Sequence, residues 1–228
     1  ISPFDHNAVT RTLHHFEELG QITVAELSVT DSLEYDLVRI RYQFEAAKPD
    51  FVIVSHASNV IGLIAPVEQI FALAKEFSAI TLVDMAQTAG LVNLNVGLET
   101  IDFAVFAGHK TLLGPTGISG FIMKPVLFGG TGYDSANQNM PESLPEKYEI
   151  GTHNIAGIAG LNAAIKWIMG QTTSKLYQAE EERRQRLLQL LSNYDFTSVV
   201  GNERGKKYVG IVSFLINGIS SDSAGNIF

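Results

Sequence analysis

The sequence has no cysteine, a single tryptophan and more acidic than basic side chains. Without cysteine, these 228 residues can form neither disulfides nor thiolate metal sites. The 24 acidic against 16 basic residues give a net charge of -8. This charge disfavours nucleic acid and anionic lipid as partners, because both bind to clustered cations. We therefore expect small molecules or other proteins as partners.

Long apolar runs and targeting signals are also missing. No stretch approaches the roughly 18 consecutive apolar residues that span a bilayer, and the first residues lack the basic and apolar regions of a signal peptide. The expected location is therefore the cytoplasm. Because 46% of the residues are hydrophobic, the chain can bury the core of one or two domains.

Several motifs of other enzyme classes do not occur. The sequence contains no His-Glu-x-x-His pair, no Walker loop and no Gly-x-Ser-x-Gly elbow, and no Gly-x-Gly-x-x-Gly follows a predicted strand. His14 and His15 are adjacent on a predicted helix, so they face different directions. The sequence therefore predicts no metal site.

The hydrophobic pattern predicts alternating strands and helices, which is typical of an α/β fold. Strands over 51–55 and 80–84 flank a helix over 66–77 and form one βαβ unit. Strands near 102–106 and 118–123 follow. The loop between them is too short for a crossover helix, so the last strand should break the alternation. The other predicted elements are helices over 7–19, 35–47, 155–169 and 174–193 and strands near 22–26, 196–200 and 207–216.

The most informative segment, Ala107-Gly108-His109-Lys110-Thr111, places a lysine on a glycine-rich loop directly after an apolar strand. A lysine attacks a carbonyl as the neutral amine, so its usual pKa of about 10.4 must be lowered by burial or by a neighbouring cation. The apolar strand and His109 are placed to provide both. The segment suits a Schiff-base lysine at position 110. For an isolated lysine an ordinary solvated side chain is the commoner meaning, and the other segments change that balance.

Two other apolar segments also end in polar side chains. Asp84 ends one of them and Gln87 follows three residues later, while Asn59 follows the run that ends at Ser55. Ligands of open parallel sheets bind at the carboxyl ends of the strands. There, Asp84 would pair with a protonated ring nitrogen, as pyridoxal phosphate chemistry requires, and Asn59 would donate to a phenolic oxygen. The alternatives are turn and cap roles, which we favour for His56.

Five segments that carry these residues occur in order along the chain. They are Asp5-His6-Asn7-Ala8-Val9, His56-Ala57-Ser58-Asn59, Asp84-Met85-Ala86-Gln87, Gly108-His109-Lys110 and Glu149-Ile150-Gly151-Thr152-His153-Asn154. Together they resemble the class V aminotransferase family and, within it, the cysteine desulfurases. The resemblance implies an aspartate-aminotransferase-like α/β fold (PLP fold type I). A large domain with a mostly parallel sheet would cover 1–170, and the start of a smaller α+β domain would cover 171–228.

The resemblance also implies pyridoxal 5'-phosphate as the cofactor, with a role for each matching residue. Lys110 would form the Schiff base with the cofactor and then move protons as the catalytic lysine. Asp84 would pair with the pyridinium nitrogen. Gln87 and Asn59 would donate to the phenolic oxygen.

Three further residues acquire roles from the resemblance. His6 would stack on the pyridoxal ring as the second catalytic residue, and His109 would approach the phosphate. Thr152 would reach the phosphate bound by a neighbouring subunit, which implies a homodimer with shared active sites. The loop-like segment 129–148 would approach the partner's site.

The sequence departs from the family pattern at three places. Ala107 stands where the family often has a serine that contacts the phosphate, and no N-terminal anion site precedes His6. The family's later segment, with an arginine for the substrate carboxylate and a cysteine that accepts sulfur, has no counterpart. We therefore expect a fragment of a longer protein that binds the cofactor weakly or not at all and does not turn over substrate alone, or else a degenerate relative.

The expected function is that of a cysteine desulfurase, which would act on L-cysteine in the full-length protein and pass sulfur to a possible acceptor protein. The same cofactor residues fit other class V enzymes, namely a selenocysteine lyase, an aminotransferase or an epimerase. A catalytically inactive module for dimerisation or binding is the alternative from another class.

Overall fold

The computed structural model describes residues 1–124, 143–149 and 151–226. The described helices are α1 (Asn7–Glu18), α2 (Leu37–Ala47), α3 (Val67–Glu76), α4 (Ile155–Gln171), α5 (Thr173–Leu191) and α6 (Ser221–Gly225). The described strands are β1 (Phe51–Ser55), β2 (Ile80–Asp84), β3 (Phe103–Ala107), β4 (Ser119–Met123), β5 (Thr197–Val200) and β6 (Ser213–Ile216). None of the described helices is both long and apolar enough to cross a membrane.

Strands β1 to β4 form one sheet in sequence order. β1 pairs with β2 and β2 with β3 in parallel, whereas β4 returns antiparallel to β3. The predicted βαβ unit and the predicted break in alternation are both confirmed. β1 and β2 pair from Phe51 opposite Ile80 to Ser55 opposite Asp84, so the two strands end at the same level. The segments that leave the carboxyl ends of β1, β2 and β3 therefore meet at one edge.

Helix α3 packs on this sheet. Its apolar residues recur at helical spacing, and Val67, Ile70, Phe71 and Ala74 are all buried. The same core includes inward-facing strand residues, Val52, Val54, Val83 and Ala104. Burial of one aliphatic or aromatic side chain of this size contributes about 1.5–3 kcal/mol, so α3 holds β1 and β2 together.

A polar cluster closes the other edge of the sheet, at the amino ends of β2 and β3. The Asp102 carboxylate accepts hydrogen bonds from the Lys75 ammonium and, at 2.8 Å, from the Thr81 backbone amide. Burial alone would raise the pKa of Asp102, but the hydrogen bonds from Lys75 and Thr81 hold it below its usual value. This cluster joins α3 to two strands and is structural.

β5 and β6 form a separate antiparallel pair. The segment before β6 contacts the loop after β1, because Tyr208 bridges to Leu63 and the Val209 amide donates to the Gly62 carbonyl oxygen at 2.9 Å. Gly62 has a φ of +72°, and a Cβ there would lie 2.7 Å from the Ile211 carbonyl oxygen. Only glycine fits this position.

One predicted strand does not form, and another is shorter than predicted. Residues 22–26 form no strand, because within the described chain no neighbouring strand accepts their ladder hydrogen bonds. Instead, the Val24 amide donates to the Glu17 carboxylate at 2.9 Å, and the Ala25 carbonyl oxygen accepts from the Ile1 backbone nitrogen at 2.8 Å. The strand predicted over 207–216 shrinks to β6, because its first residues bond to the loop after β1.

The remaining boundaries agree with the predictions to within two residues, although the short helix α6 was not predicted. Of the predicted loop 129–148, residues 129–142 lie outside the described residues, and Glu146–Tyr148 form a 3-10 turn. The division into domains over 1–170 and 171–228 stays a prediction.

Candidate active site

The carboxyl ends of β1, β2 and β3 surround one small pocket. Its walls contain His6, Ser55, Ala57, Asn59, Asp84, Ala86, Gln87 and Lys110. Five of the seven predicted site residues are therefore brought together: His6, Asn59, Asp84, Gln87 and Lys110. The cavity between them is about 10 Å³, about the space of a single water molecule. A larger ligand needs wall side chains to move aside.

Lys110 lies on the turn that follows β3. Two backbone hydrogen bonds close this turn, from the Gly108 amide to Ile118 at 3.0 Å and from the Gly114 amide to Gly108 at 2.7 Å. A Cβ on Gly108 would lie 2.7 Å from the Ile118 carbonyl oxygen, and one on Gly114 would lie 2.8 Å from the Gly108 carbonyl oxygen. Close backbone contacts thus require both glycines and hold Lys110, half-buried, at the pocket wall.

Asp84 ends β2 and has two roles in the structure. Its Oδ1 atom accepts the Ala86 backbone amide at 2.8 Å, so it caps the following turn. Its main-chain oxygen accepts the His56 amide at 2.8 Å, which continues the contact between β1 and β2 past their ends. The cap uses one carboxylate oxygen, and the half-buried side chain also lines the pocket. The cap and pocket roles are therefore compatible.

Asn59 lies on the loop after β1, and Ser58 gives this loop its shape. The Ser58 hydroxyl oxygen accepts the amides of Val60 at 3.1 Å and Ile61 at 3.2 Å, and the Ser58 amide donates to the Leu63 carbonyl oxygen at 3.0 Å. Ser58 is buried, whereas Asn59 is exposed and reaches the pocket wall. Ser58 is therefore structural, and the Asn59 amide faces the site.

Gln87 lies on the turn after β2, and a buried histidine holds this turn in place. His56 Nδ1 and Thr88 Oγ1 form a hydrogen bond of 2.9 Å, and both residues are buried. Burial lowers the pKa of His56 to about 4, so the imidazole is neutral at neutral pH. These contacts agree with the structural interpretation of His56, which joins the loop after β1 to the turn that carries Gln87.

His6 reaches the pocket from the N-terminal segment. Its Nδ1 atom accepts the Ala8 backbone amide at 3.1 Å, so His6 is the N-cap of α1. His6 is otherwise exposed, and its side chain lines the pocket wall.

Comparison with known sequences identifies the family of this site. The sequence profile described as Aminotransferase class-V matches residues 1–228. The chain belongs to the class V aminotransferase family. The match spans every residue of the pocket and agrees with the resemblance found in the sequence.

Curated class V relatives are longer than this chain. A probable cysteine desulfurase from Halalkalibacterium halodurans is 32% identical over 231 residues, which cover 96% of this chain and 55% of that protein. A probable cysteine desulfurase from Pyrococcus abyssi is 30% identical, with 93% of this chain and 55% of that protein covered. The chain therefore spans about half the length of the curated relatives it matches.

Solved structures confirm the predicted fold. The apo structure of a cysteine desulfurase from Thermococcus onnurineus matches 99% of this chain and 58% of its own, with a TM-score of 0.81 and 28% identity. A cysteine desulfurase from Escherichia coli matches 97% of this chain and 56% of its own, with a TM-score of 0.80 and 22% identity. The second likeness shows the fold alone. The chain has the PLP fold type I architecture with a mostly parallel sheet.

Two residues that the class V resemblance relates to the phosphate do not line the pocket. His109 precedes Lys110 on the same turn, but its side chain is exposed. Thr152 is also exposed, shortly before α4. Asn154, the N-cap of α4, donates to the Gly117 carbonyl oxygen at 3.2 Å. This bond ties the Thr152 segment to the loop after Lys110 without bringing Thr152 into the pocket.

Ser55 lines the pocket and Asp5 bonds to it, and the sequence interpretation assigned a role to neither residue. Ser55 lines the pocket, and its backbone amide donates to the Asp5 carboxylate at 2.6 Å. Burial raises the pKa of Asp5, although hydrogen bonds from Ser55 and Ser2 oppose this shift. The signal for Ser55 was its place at a strand end, and the signal for Asp5 was an acid directly before the class V histidine.

Proposed function

We propose that the pocket binds pyridoxal 5'-phosphate and that the whole protein acts on L-cysteine as a cysteine desulfurase. The observation that carries this proposal is the convergence at one pocket of five side chains, His6, Asn59, Asp84, Gln87 and Lys110. The relatives add support, because the compared curated proteins are named probable cysteine desulfurases.

The side chains of the pocket fit the functional groups of this cofactor. Lys110 offers a primary amine for the aldehyde, and Asp84 offers a carboxylate for the ring N–H. Asn59 and Gln87 offer amide N–H groups for the phenolic oxygen, and His6 offers an aromatic ring for the π face. When bound, pyridoxal phosphate supplies an electron sink for a bond that breaks at the α-carbon of the substrate.

Lys110 and Asp84 would carry the central tasks. Lys110 Nζ would hold the cofactor covalently and, once the substrate amine has replaced it, would move protons to and from the substrate. The backbone contacts of Gly108 and Gly114 keep the turn in place, so Nζ moves through its side-chain torsions. The Ala86 amide orients the Asp84 carboxylate through Oδ1 and leaves Oδ2 for the ring nitrogen.

The phosphate has the fewest candidate partners. Among the described residues that line the pocket, Lys110 is the only permanent cation, and the proposal uses it for the aldehyde. Ala107, at the end of β3, has no hydroxyl to donate. We therefore propose that the 228 residues alone bind the cofactor weakly, with His109 on the same turn as a further donor.

We also propose a homodimer in which Thr152 of one subunit reaches the phosphate site of the other. The exposed position of Thr152 before α4 supports this arrangement, because the side chain is accessible to a second subunit. The 228 residues contain no thiol, so sulfur would pass to a thiol supplied from outside them, on this protein or on an acceptor protein. A cytoplasmic location remains part of the proposal.

Borohydride trapping tests the cofactor site. The protein is incubated with millimolar pyridoxal phosphate, its visible spectrum is recorded, the adduct is reduced, and the modified lysine is identified by peptide mass spectrometry. We expect the label at Lys110 and its loss in Lys110→Arg. Lys166→Arg, which changes an exposed lysine on α4, is the matched control and should label like wild type. A label spread over surface lysines, unchanged in Lys110→Arg, would contradict the proposal.

The substrate is tested on the whole protein, loaded with cofactor, because the 228 residues alone are not expected to turn over L-cysteine. L-cysteine is added with dithiothreitol as the external thiol, which reduces the released sulfur to sulfide while the amino acid product is L-alanine. Formation of L-alanine, lost in Lys110→Arg, supports the desulfurase reaction. Formation of a keto acid instead would indicate an aminotransferase.

A further inference from the structure

We propose that Asp5 is a positioning residue whose carboxylate ties the N-terminal segment to the carboxyl end of β1 and thereby holds the His6 ring at the pocket wall. This inference rests on the proposed function, because it gives the His6 ring its place beside the cofactor. Asp5 itself does not line the pocket, so it would act through His6.

Each oxygen of the Asp5 carboxylate accepts a backbone amide. Oδ2 accepts the Ser2 amide at 2.9 Å, within the N-terminal turn. Oδ1 accepts the Ser55 amide at 2.6 Å, fifty residues along the chain. Hydrogen bonds to an ionised acceptor are shorter and about twice as strong as neutral ones. A single side chain thus joins the turn that precedes His6 to the last residue of β1.

The rest of this turn is anchored independently of His6. Ser2 is fully buried, its hydroxyl hydrogen bonds to the Tyr35 hydroxyl at 2.6 Å, and its amide is also within 3.1 Å of the Ile53 carbonyl oxygen. The Phe4 amide donates to the Ser2 hydroxyl oxygen at 3.0 Å. The segment up to Asp5 is therefore a fixed support, and Asp5 is its last residue before His6.

On the other side of His6, the described part of the chain ties α1 only through its far end, where the Glu17 carboxylate accepts the Val24 amide at 2.9 Å. Helix α1, all of whose residues are described, has no buried residue, so close core packing does not hold it. The contact of the His6 ring is local, with Nδ1 accepting the amide of Ala8 on the same helix. The direction in which His6 enters the pocket is therefore set mainly by the preceding residue, and Asp5 is the residue bonded to the pocket wall.

The test compares Asp5→Asn, His6→Ala and the double variant, because a residue that acts through another shows non-additive effects. The first readout uses the protein without cofactor and measures hydrogen exchange and chemical shifts of the Ser55 and Ala8 amides. The second is the dissociation constant for pyridoxal phosphate, from the visible spectrum. Asp36→Asn is the matched control, since Asp36 also accepts a backbone amide, from Arg39 at the start of α2.

We expect Asp5→Asn to speed exchange at Ser55 and to shift the Ala8 amide, whereas Asp36→Asn leaves both unchanged. We expect His6→Ala to weaken cofactor binding about two- to tenfold, the range of one aromatic contact. Asp5→Asn should weaken cofactor binding by no more than His6→Ala does. In protein that already carries His6→Ala, adding Asp5→Asn should leave the dissociation constant almost unchanged. Unchanged Ser55 and Ala8 amides, or additive losses in the double variant, would overturn the proposal.

Asp5→Glu is the milder variant if Asp5→Asn does not fold. It keeps the carboxylate on an arm longer by one methylene group, so it should retain more Ser55 protection than any neutral replacement, and the opposite order would overturn the proposal. If wild-type protein binds no pyridoxal phosphate, the proposed function fails. The amide readouts still decide whether Asp5 sets the position of His6.

Discussion

Ser55 and Asp84 are opposite each other at the ends of two parallel strands. Each is bonded to a turn that leads into the pocket, since the Ser55 amide donates to Asp5 and the Asp84 carboxylate accepts from Ala86. A register shift of one residue would turn these side chains to the opposite face of the sheet. The pocket therefore depends on the register of β1 and β2 as much as on the residues that line it.

Replacement of Asp84 by asparagine separates its two roles. Asparagine Oδ1 can still accept the Ala86 amide, so thermal stability should stay close to wild type. Loss of the negative charge removes a charge-assisted bond of about 1.5–3 kcal/mol, so pyridoxal phosphate affinity should fall about tenfold or more. Spectroscopic titration measures this affinity, and Asp36→Asn is the control for the change in charge. Equal affinity of Asp84→Asn and wild type would exclude Asp84 as the partner of the ring nitrogen.

A methyl group at Gly108 should disturb the lysine turn. The new Cβ would lie 2.7 Å from the Ile118 carbonyl oxygen, so backbone must move, at a cost of about 1–3 kcal/mol. Chemical denaturation of Gly108→Ala measures the loss, and trapping at Lys110 should also decrease. The control is Gly170→Ala in α4, where a Cβ meets no atom within 4 Å. That variant should gain about 0.5–1 kcal/mol from helix propensity, and a similar gain in Gly108→Ala would refute the close contact.

The buried His56 should make stability depend on pH. Its folded pKa of about 4 lies below the unfolded value of about 6.5, so between these values the unfolded chain binds more protons. The free energy of unfolding should therefore rise with pH across this window, by up to about 1.4 kcal/mol per pH unit.

His56→Asn keeps a polar partner for Thr88 but cannot titrate. In this variant the free energy of unfolding should therefore rise less steeply with pH across the same window, by up to about 1.4 kcal/mol per pH unit. Denaturation curves at a series of pH values supply both slopes. His15→Asn, on the exposed surface of α1, is the control for removing a histidine. Identical slopes for wild type and His56→Asn would show that His56 is accessible to protons in the folded protein.

The Asp102 cluster should stabilise the fold above the unfolded pKa of aspartate. Because the folded pKa of Asp102 is lowered, its contribution is present above pH of about 3.9 and is lost as the pH falls through the folded value. Asp102→Asn removes the ion pair with Lys75 and should lower the free energy of unfolding by about 1 kcal/mol at neutral pH. The loss is modest because the pair is partly exposed. Glu76→Gln breaks the surface pair with Arg41 and should lower the free energy of unfolding by less than Asp102→Asn does. A larger loss in Glu76→Gln would contradict this prediction.

Strand positions were predictable because each strand of the main sheet is an apolar run bounded by turn residues. The strand segment 51–55 and the helix after it follow from β-branched residues and from apolar spacing at 3.6 residues. Residues 22–26 carry a comparable pattern but form no strand. A strand needs a neighbour to accept its hydrogen bonds, and a single segment does not reveal whether it has one.

Candidate site residues were recognisable by chemical type and by their places after apolar runs. Asp84 and Lys110 were assigned in this way, and both line the pocket. The sequence places Asp5 directly before the class V histidine, but it could not reveal the bond from Asp5 to Ser55, because Ser55 is distant in sequence. For the same reason the sequence could not show that His109 and Thr152 lie outside the pocket.

Local spacing and residue type were enough to predict most of the strands and helices, the family that the chain resembles and the side chains that can bind a cofactor. Which of those side chains meet follows from the folded chain alone. That outcome depends on the register of β1 with β2, on the backbone contacts at Gly108 and on the bonds that Asp5 and His56 make across the chain. These are long-range contacts, and their free energy appears only when distant segments pack together.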